Sequence, residues 1–270
     1  AVNGCGQWGD VPTPIPSGAS EARLRGIDVR SQTDAWAVGD YSAPGPVPGD
    51  TDDFSLAMRW NGSTWTQVAT PNPGPGNGMN SDSFVSVDAV DANNAFAVGR
   101  QAGQDPQSGY FGGRVFAARW TGQQWVDMHA PWPSSVGSSG ASGEQLNDVV
   151  AITANDVWMV GSYWRMTAQV TAEWPGVAFR WDGSQFQTHY LPWISPARNQ
   201  WGSAVSASGT NDVWVVGDGT GSGNYSYIWH WNGVSWSQVP GPTPGRSRVL
   251  EDVVAISPNS SLTASNPSVS

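Results

Sequence analysis

The chain has 270 residues and carries twelve basic against twenty-two acidic side chains, a net charge of −10 with every basic residue an Arg, which argues against a duplex nucleic acid or an anionic membrane surface as partner. Gly 33 and Pro 20 are spread along the whole length and leave no room for long helices, whereas seventeen Trp and 39% hydrophobic residues exclude disorder, so an all-β fold is expected. No run of about 18 apolar residues offers a membrane-spanning helix, and the lone Cys5 excludes an intrachain disulfide, a redox pair and a Cys-rich zinc site.

The chain starts at Ala1 without an initiator Met, which is consistent with an extracellular mature protein whose signal has been removed, or with an excised piece. Residues 2–14 read VNGCGQWGDVPTP and imitate the stretch WNGSTWTQVATP that begins at Trp60. A first repeat then occupies 24–69: LRGIDVRSQTDAWAVGDY from Leu24 and LAMRWNGSTWTQV from Leu56. It returns over 84–129 (FVSVDAVDANNAFAVGRQ, FAARWTGQQWVDM), over 146–190 (LNDVVAITANDVWMVGSY, VAFRWDGSQFQTH) and over 201–239 (WGSAVSASGTNDVWVVGDG, YIWHWNGVSWSQV). The Gly that closes the first block falls at 39, 99, 161 and 217. Residues 250–257 (LEDVVAIS) restart that block, and SPNSSLTASNPSVS follows without its Trp or its Val-Gly.

Each block is two short runs rich in Val, Ile, Trp and Phe around an Asn, Asp, Gly or Ser turn, which is a β-hairpin signature, so each repeat supplies four strands. Four-stranded units repeated around an axis predict a single β-propeller domain. The partial repeats at the two ends, 1–14 and 250–270, are expected to pair as one composite blade, giving five four-stranded antiparallel blades. A four-bladed ring with a divergent tail is the alternative.

These residues resemble the WNGxxW and DVWAVG repeats of secreted actinobacterial-type β-propeller proteins, over essentially the whole chain. More loosely they are similar to propellers related to photosystem II assembly factors and to the Asp-box hairpins of sialidases and sortilins, although Trp60, Trp120, Trp181 and Trp231 stand where the Asp-box has its carboxylate. The resemblance implies a fold and hardly any activity.

Connections within the two hairpins of each repeat are short and share one face, whereas the loops 41–53, 70–83, 101–113, 130–145 and 163–176 are long and share the other, where function is expected. Eleven Trp recur by repeat position and are expected in the core, and Trp201 and Trp229 are expected to pack as well. Four others lie in long loops: Trp132, Trp164, Trp174 and Trp193. With Arg165 and Arg198 beside them they form the candidate ligand-binding set, because indole faces stack on sugar C–H faces while polar neighbours bond the hydroxyls. Equally, these indoles could simply plug loops onto the blades.

No motif asserts a reaction: G-x-S-x-G is absent, the three His are scattered, and Asp50, Asp52 and Asp53 read as a solvated acidic turn rather than a calcium loop. Nothing calls for a metal or another cofactor. The expected function is carbohydrate binding, with a glycan or polysaccharide as partner. Two alternatives stand beside it, a protein-interaction scaffold and a glycoside hydrolase or polysaccharide lyase at the channel mouth. The hydrolase would draw on Asp28, Asp88, Asp148, Glu251 or Asp252, or on the unrepeated acids Asp105, Glu144 and Glu173. Bonding of Asp28, Asp88 and Asp148 to backbone amides at equivalent blade positions would instead mark them as scaffold.

Overall fold

Repeats with this hairpin signature fold into a succession of antiparallel sheets in the computed structural model, which describes residues 9–74, 81–104, 111–131, 145–163, 165–166, 172–194, 199–220, 224–241, 250–256 and 263–265. The first sheet is β1 (Glu21–Ser31), β2 (Asp34–Pro44), β3 (Thr51–Trp60) and β4 (Trp65–Val68), paired in chain order. The second is β5 (Ser83–Asp91), β6 (Asn94–Gln104), β7 (Phe111–Trp120) and β8 (Trp125–Asp127). In the third, β9 (Gln145–Thr153) and β10 (Asp156–Ser162) are followed by a small hairpin, β11 (Arg165–Met166) with β12 (Ala172–Glu173), before β13 (Gly176–Trp181) and β14 (Phe186–Tyr190) complete it. The fourth is β15 (Asn199–Gly209), β16 (Asp212–Thr220), β17 (Asn224–Trp231) and β18 (Trp236–Gln238), and β19 (Asp252–Val254) pairs with β20 (Thr263–Ser265) beyond it.

The described residues therefore hold four complete four-stranded sheets plus a two-stranded remnant. Residues 1–8, expected to pair in the composite blade, lie outside them. The face of β1 that would meet that blade is open: Ile27 is 63% exposed, whereas its equivalents Val87, Val149 and Val205 are 5–6% exposed.

Local chemistry explains the repeat. In all four inner strands the ladder slips at two places, and the first slip lies between Leu24 and Gly26, Phe84 and Ser86, Leu146 and Asp148, and Gly202 and Ala204. That bulge presses a carbonyl against the second strand. A Cβ on Gly39, Gly99, Gly161 or Gly217 would stand 1.8–2.1 Å from the oxygen of Arg23, Ser83, Gln145 or Trp201, so the Val-Gly of each repeat is a steric requirement. At the outer hairpins Gly62, Gly122, Gly183 and Gly233 adopt φ of 87–98°. The preceding Asn61, Asp182 and Asn232 accept N–H bonds from the two residues after the Gly, at 2.9–3.0 Å. Those amides hold the exposed Asp182 carboxyl down at about 2.

The core lies between sheets rather than within one. Second strands are sandwiched: β10 is buried along its whole length, as its continuous apolar run predicts. Aromatic rings lock neighbouring sheets, with Trp36 against Trp120 and Trp125, and Trp158 against Trp231 and Trp236. Above them an acid or amide opening the second strand binds a base on the third: Asp34 with Arg59, Asn94 with Arg119, Asp156 with Arg180 and Asp212 with His230.

Candidate functional site

Inner-strand acids come first, because they carried the hydrolase expectation. Asp28 accepts the backbone N–H of Ala89 at 3.0 Å, Asp88 that of Ala151 at 2.7 Å, and Asp148 that of Val205 at 2.8 Å, each bond running to the next sheet. Ser206 continues the series by accepting from Ala255. Asp148 also receives the Ser86 hydroxyl at 2.6 Å. These acids stitch sheet to sheet, a scaffold role that engages Oδ2 of Asp28 and Asp88 and both oxygens of Asp148. One equivalence read from the sequence is corrected: Asp148 pairs opposite Val160 and is the counterpart of Gly26 and Ser86, two places before the position of Asp28 and Asp88. Its bond lands two places earlier on the next strand as well.

Burial raises all three carboxyls, and Asp88 reaches about 6 because the charges of Asp28 and Asp148 add to its desolvation against the lowering effect of the Ala151 amide. The acidic turn is corrected too. Asp52 is buried rather than solvated, and the Ser42 hydroxyl donates to Asp53 at 2.6 Å.

A cleft of about 620 Å³ opens where the third and fourth sheets meet at the end that carries the long loops. Gln145, Asn147, Ser162, Trp174, Asn199, Trp201 and Ser203 line it. Main-chain bonds fix its wall: Gln200 N–H donates to the Trp174 carbonyl at 2.7 Å, and Trp174 bridges Asn199 in parallel. Buried Gln200 anchors the far side by donating its side-chain amide to the Ile194 carbonyl at 2.7 Å. Across the floor the Gln145 amide donates to Asn147 Oδ1 at 2.5 Å, and Asn147 Nδ2 donates to the Gly202 carbonyl at 2.7 Å. Behind Ser203 lies Asp218, which receives its hydroxyl at 3.3 Å and whose carboxyl is raised by burial. No charged side chain is among the described residues of the lining.

Of the residues singled out in sequence, Trp174 stands in this cleft. Trp193 is 38% exposed after Pro192, whose carbonyl receives the Trp229 indole N–H at 3.2 Å, and it is not among the lining residues. Arg165 opens β11 opposite Glu173. Trp132, Trp164 and Arg198 lie outside the described residues.

Sequence reasoning missed Trp201. Its carbonyl meets Gly217 as those of Arg23, Ser83 and Gln145 meet their glycines, so it occupies a polar mouth position and Gly202 takes the apolar place of Leu24, Phe84 and Leu146. Counting back from the closing Gly would have found it. Trp229, by contrast, is fully buried as expected.

Four-stranded antiparallel sheets in sequence order, packed face on face through apolar second strands, define the β-propeller class. No family model and no curated protein matches the chain. Among solved structures it is similar to the GH93 α-L-arabinofuranosidase of Fusarium graminearum in complex with arabinobiose, with a TM-score of 0.53 and 9% identity over 94% of this chain and 77% of that one. It is also similar to the α-L-arabinanase of Penicillium chrysogenum complexed with arabinobiose, at a TM-score of 0.50 and 9% identity over 95% and 78%. A further neighbour is YCF48 bound to a D1 peptide, with a TM-score of 0.45 and 15% identity over 89% of this chain, which spans only 58% of that structure.

Proposed function

We propose that the protein is a secreted, five-bladed propeller that binds carbohydrate on its long-loop face, with the cleft between the third and fourth sheets as the primary site. The composition of that cleft carries the reading: two indoles, Trp174 and Trp201, with the amides and hydroxyls of Gln145, Asn147, Ser162, Asn199 and Ser203. Indole faces suit the apolar C–H faces of a sugar ring, and neutral amides and hydroxyls both donate to and accept from its hydroxyls. A volume of about 620 Å³ is in the range of small-ligand sites, roughly 300–1,000 Å³. The uncharged lining favours neutral glycans over uronic acids. Trp193, Trp132, Trp164, Arg165 and Arg198 are kept as candidate contacts for a longer glycan chain. Two of the propellers it resembles hold arabinobiose. At 9% identity that likeness reaches the fold, and the functional reading stands on the cleft.

The test is an array of neutral and acidic glycans followed by titration calorimetry on Trp174→Ala and Trp201→Ala. Each substitution is expected to weaken binding at least tenfold while leaving the melting profile intact. Undiminished binding by the double variant would overturn the assignment to this cleft.

A further inference from the structure

Hydrogen bonds in the cleft between the third and fourth sheets have a direction. Asn147 Nδ2 donates to the Gly202 carbonyl, so Asn147 Oδ1 is the acceptor for Gln145 Nε2, and Gln145 Oε1 is left facing no protein donor. Ser203 commits its only hydroxyl hydrogen to Asp218 at 3.3 Å and keeps its lone pairs. Asn199 donates Nδ2 to Thr220 Oγ1 at 2.9 Å, while its Oδ1 is buried and accepts no hydrogen bond. Gln145, Asn199 and Ser203 thus turn donors into the protein and keep oxygens for the cleft they line. A buried acceptor without a donor costs free energy that a ligand donor would recover.

The repeat adds a second observation behind Ser203. Asp218 follows the closing Gly217 as Asp40 follows Gly39, and Ser203 stands at the first slip of its inner strand where Arg25 stands in the first sheet. In the first sheet these positions form an ion pair, the Arg25 guanidinium donating to Asp40. In the fourth sheet a hydroxyl replaces the guanidinium, and the carboxylate position is kept. The alternation of β15 that brings Ser203 to the cleft brings Asn199 and Trp201 with it, so the place vacated by the cation adjoins an indole.

We propose that the cleft selects a sugar carrying a free amino group, whose ring stacks on Trp174 or Trp201 and whose nitrogen takes the place that Arg25 holds in the first sheet, against the oxygens of Ser203, Asn199 and Gln145 with Asp218 behind them. The proposal rests on the carbohydrate reading of the cleft and names the class of sugar. An ammonium offers three donors and needs no donor in return, whereas a hydroxyl offers one and accepts as well. A cation is also attracted by an indole face. An acetamido group loses the charge and brings a carbonyl, so it meets the same oxygens less well.

The probes are identically linked short oligomers of glucosamine, N-acetylglucosamine and glucose, titrated into the full chain at about pH 6, where an amine keeps its proton. The glucosamine oligomer is expected to bind at least tenfold more tightly than the glucose oligomer. Ser203→Arg supplies the cation from within, and Asp218→Asn removes the charge while keeping an acceptor for Ser203; each is expected to cut that ratio below threefold. Glucose or N-acetylglucosamine oligomers bound as tightly as the glucosamine oligomer overturn the proposal and leave the carbohydrate reading standing. A preference unchanged in both variants also overturns it, since attraction by the acidic chain as a whole would then account for the binding. Failure of all three oligomers, with a blank glycan array, overturns both.

Discussion

The carboxylate of Asp88 accepts the backbone N–H of Ala151 across a sheet junction at 2.7 Å. The bond joins the inner strands of two neighbouring sheets, yet it places a charge among apolar strands and near Asp28 and Asp148.

A pH dependence with a definite sign follows. The folded-state carboxyl is raised to about 6 from 3.8, so its contribution to stability is fully present below about 3.8 and is lost as pH rises through about 6. About two units correspond to roughly 3 kcal/mol. The thermal midpoint is expected to be higher at pH 5 than at pH 7.5. Asp88→Asn keeps the acceptor oxygen, should flatten that slope, and should melt above the wild type at pH 7.5 in scanning calorimetry. A wild-type midpoint that rises from pH 5 to 7.5 contradicts the assignment.

Gly99→Ala places a methyl 2.0 Å from the Ser83 carbonyl oxygen, and the methyl is fixed to its Cα while the oxygen belongs to the main chain of the paired strand, so neither can swing away. A loss of about 3 kcal/mol or more is expected in urea melts, within the range of severe steric substitutions. Gly209→Ala, with nothing within 4 Å, is the matched control and should change stability by less than about 0.5 kcal/mol.

Glycan binding in the cleft should be indifferent to ionic strength. Its lining carries no charge among the described residues, so raising salt from about 0.05 to 0.5 M removes no attraction there. Affinity for a neutral oligosaccharide falling more than threefold over that range would show that charged loop residues, not the cleft, carry the interaction.

Ring closure is tested by truncation. The open face of β1, with Ile27 63% exposed, is what a composite blade built with residues 1–14 would cover. Deleting that segment is expected to lower and broaden the melting transition, because a last blade completed by it would be left with an unpaired edge. An unchanged profile would leave the four-sheet arc as the whole folded unit.

Strand order, sheet count within each repeat and the buried second strands were legible because apolar periodicity and the Asn-Gly turns are local signals, repeated four times. The inner-strand bulge was not legible. It is shared by all four inner strands and displaces nothing between repeats: counted back from the closing Gly, Asp148 falls on Gly26 and Ser86, and Gly202 on Leu24, so it was matching by residue type instead of by spacing that hid a cleft indole and gave three acids a false equivalence. The cleft polar groups escaped for another reason: Gln145, Asn147 and Ser203 look like ordinary strand ends, and only the junction of two sheets brings them to Trp174. Trp174 itself was legible as an unrepeated loop aromatic.

The stitches between sheets all point the same way along the sequence: an oxygen in one repeat, an amide in the repeat that follows. A ribosome delivers each acceptor before its donor. A carboxylate waiting at the growing edge stays hydrated until the next inner strand arrives and strips its water, so the head of a nascent chain is a wet interface that moves forward one repeat at a time. In the last stitch the waiting group is the Ser206 hydroxyl, which has no charge to shed, so the step that depends on the C-terminal strand is also the one least sensitive to the acidity of the compartment in which the chain completes its fold.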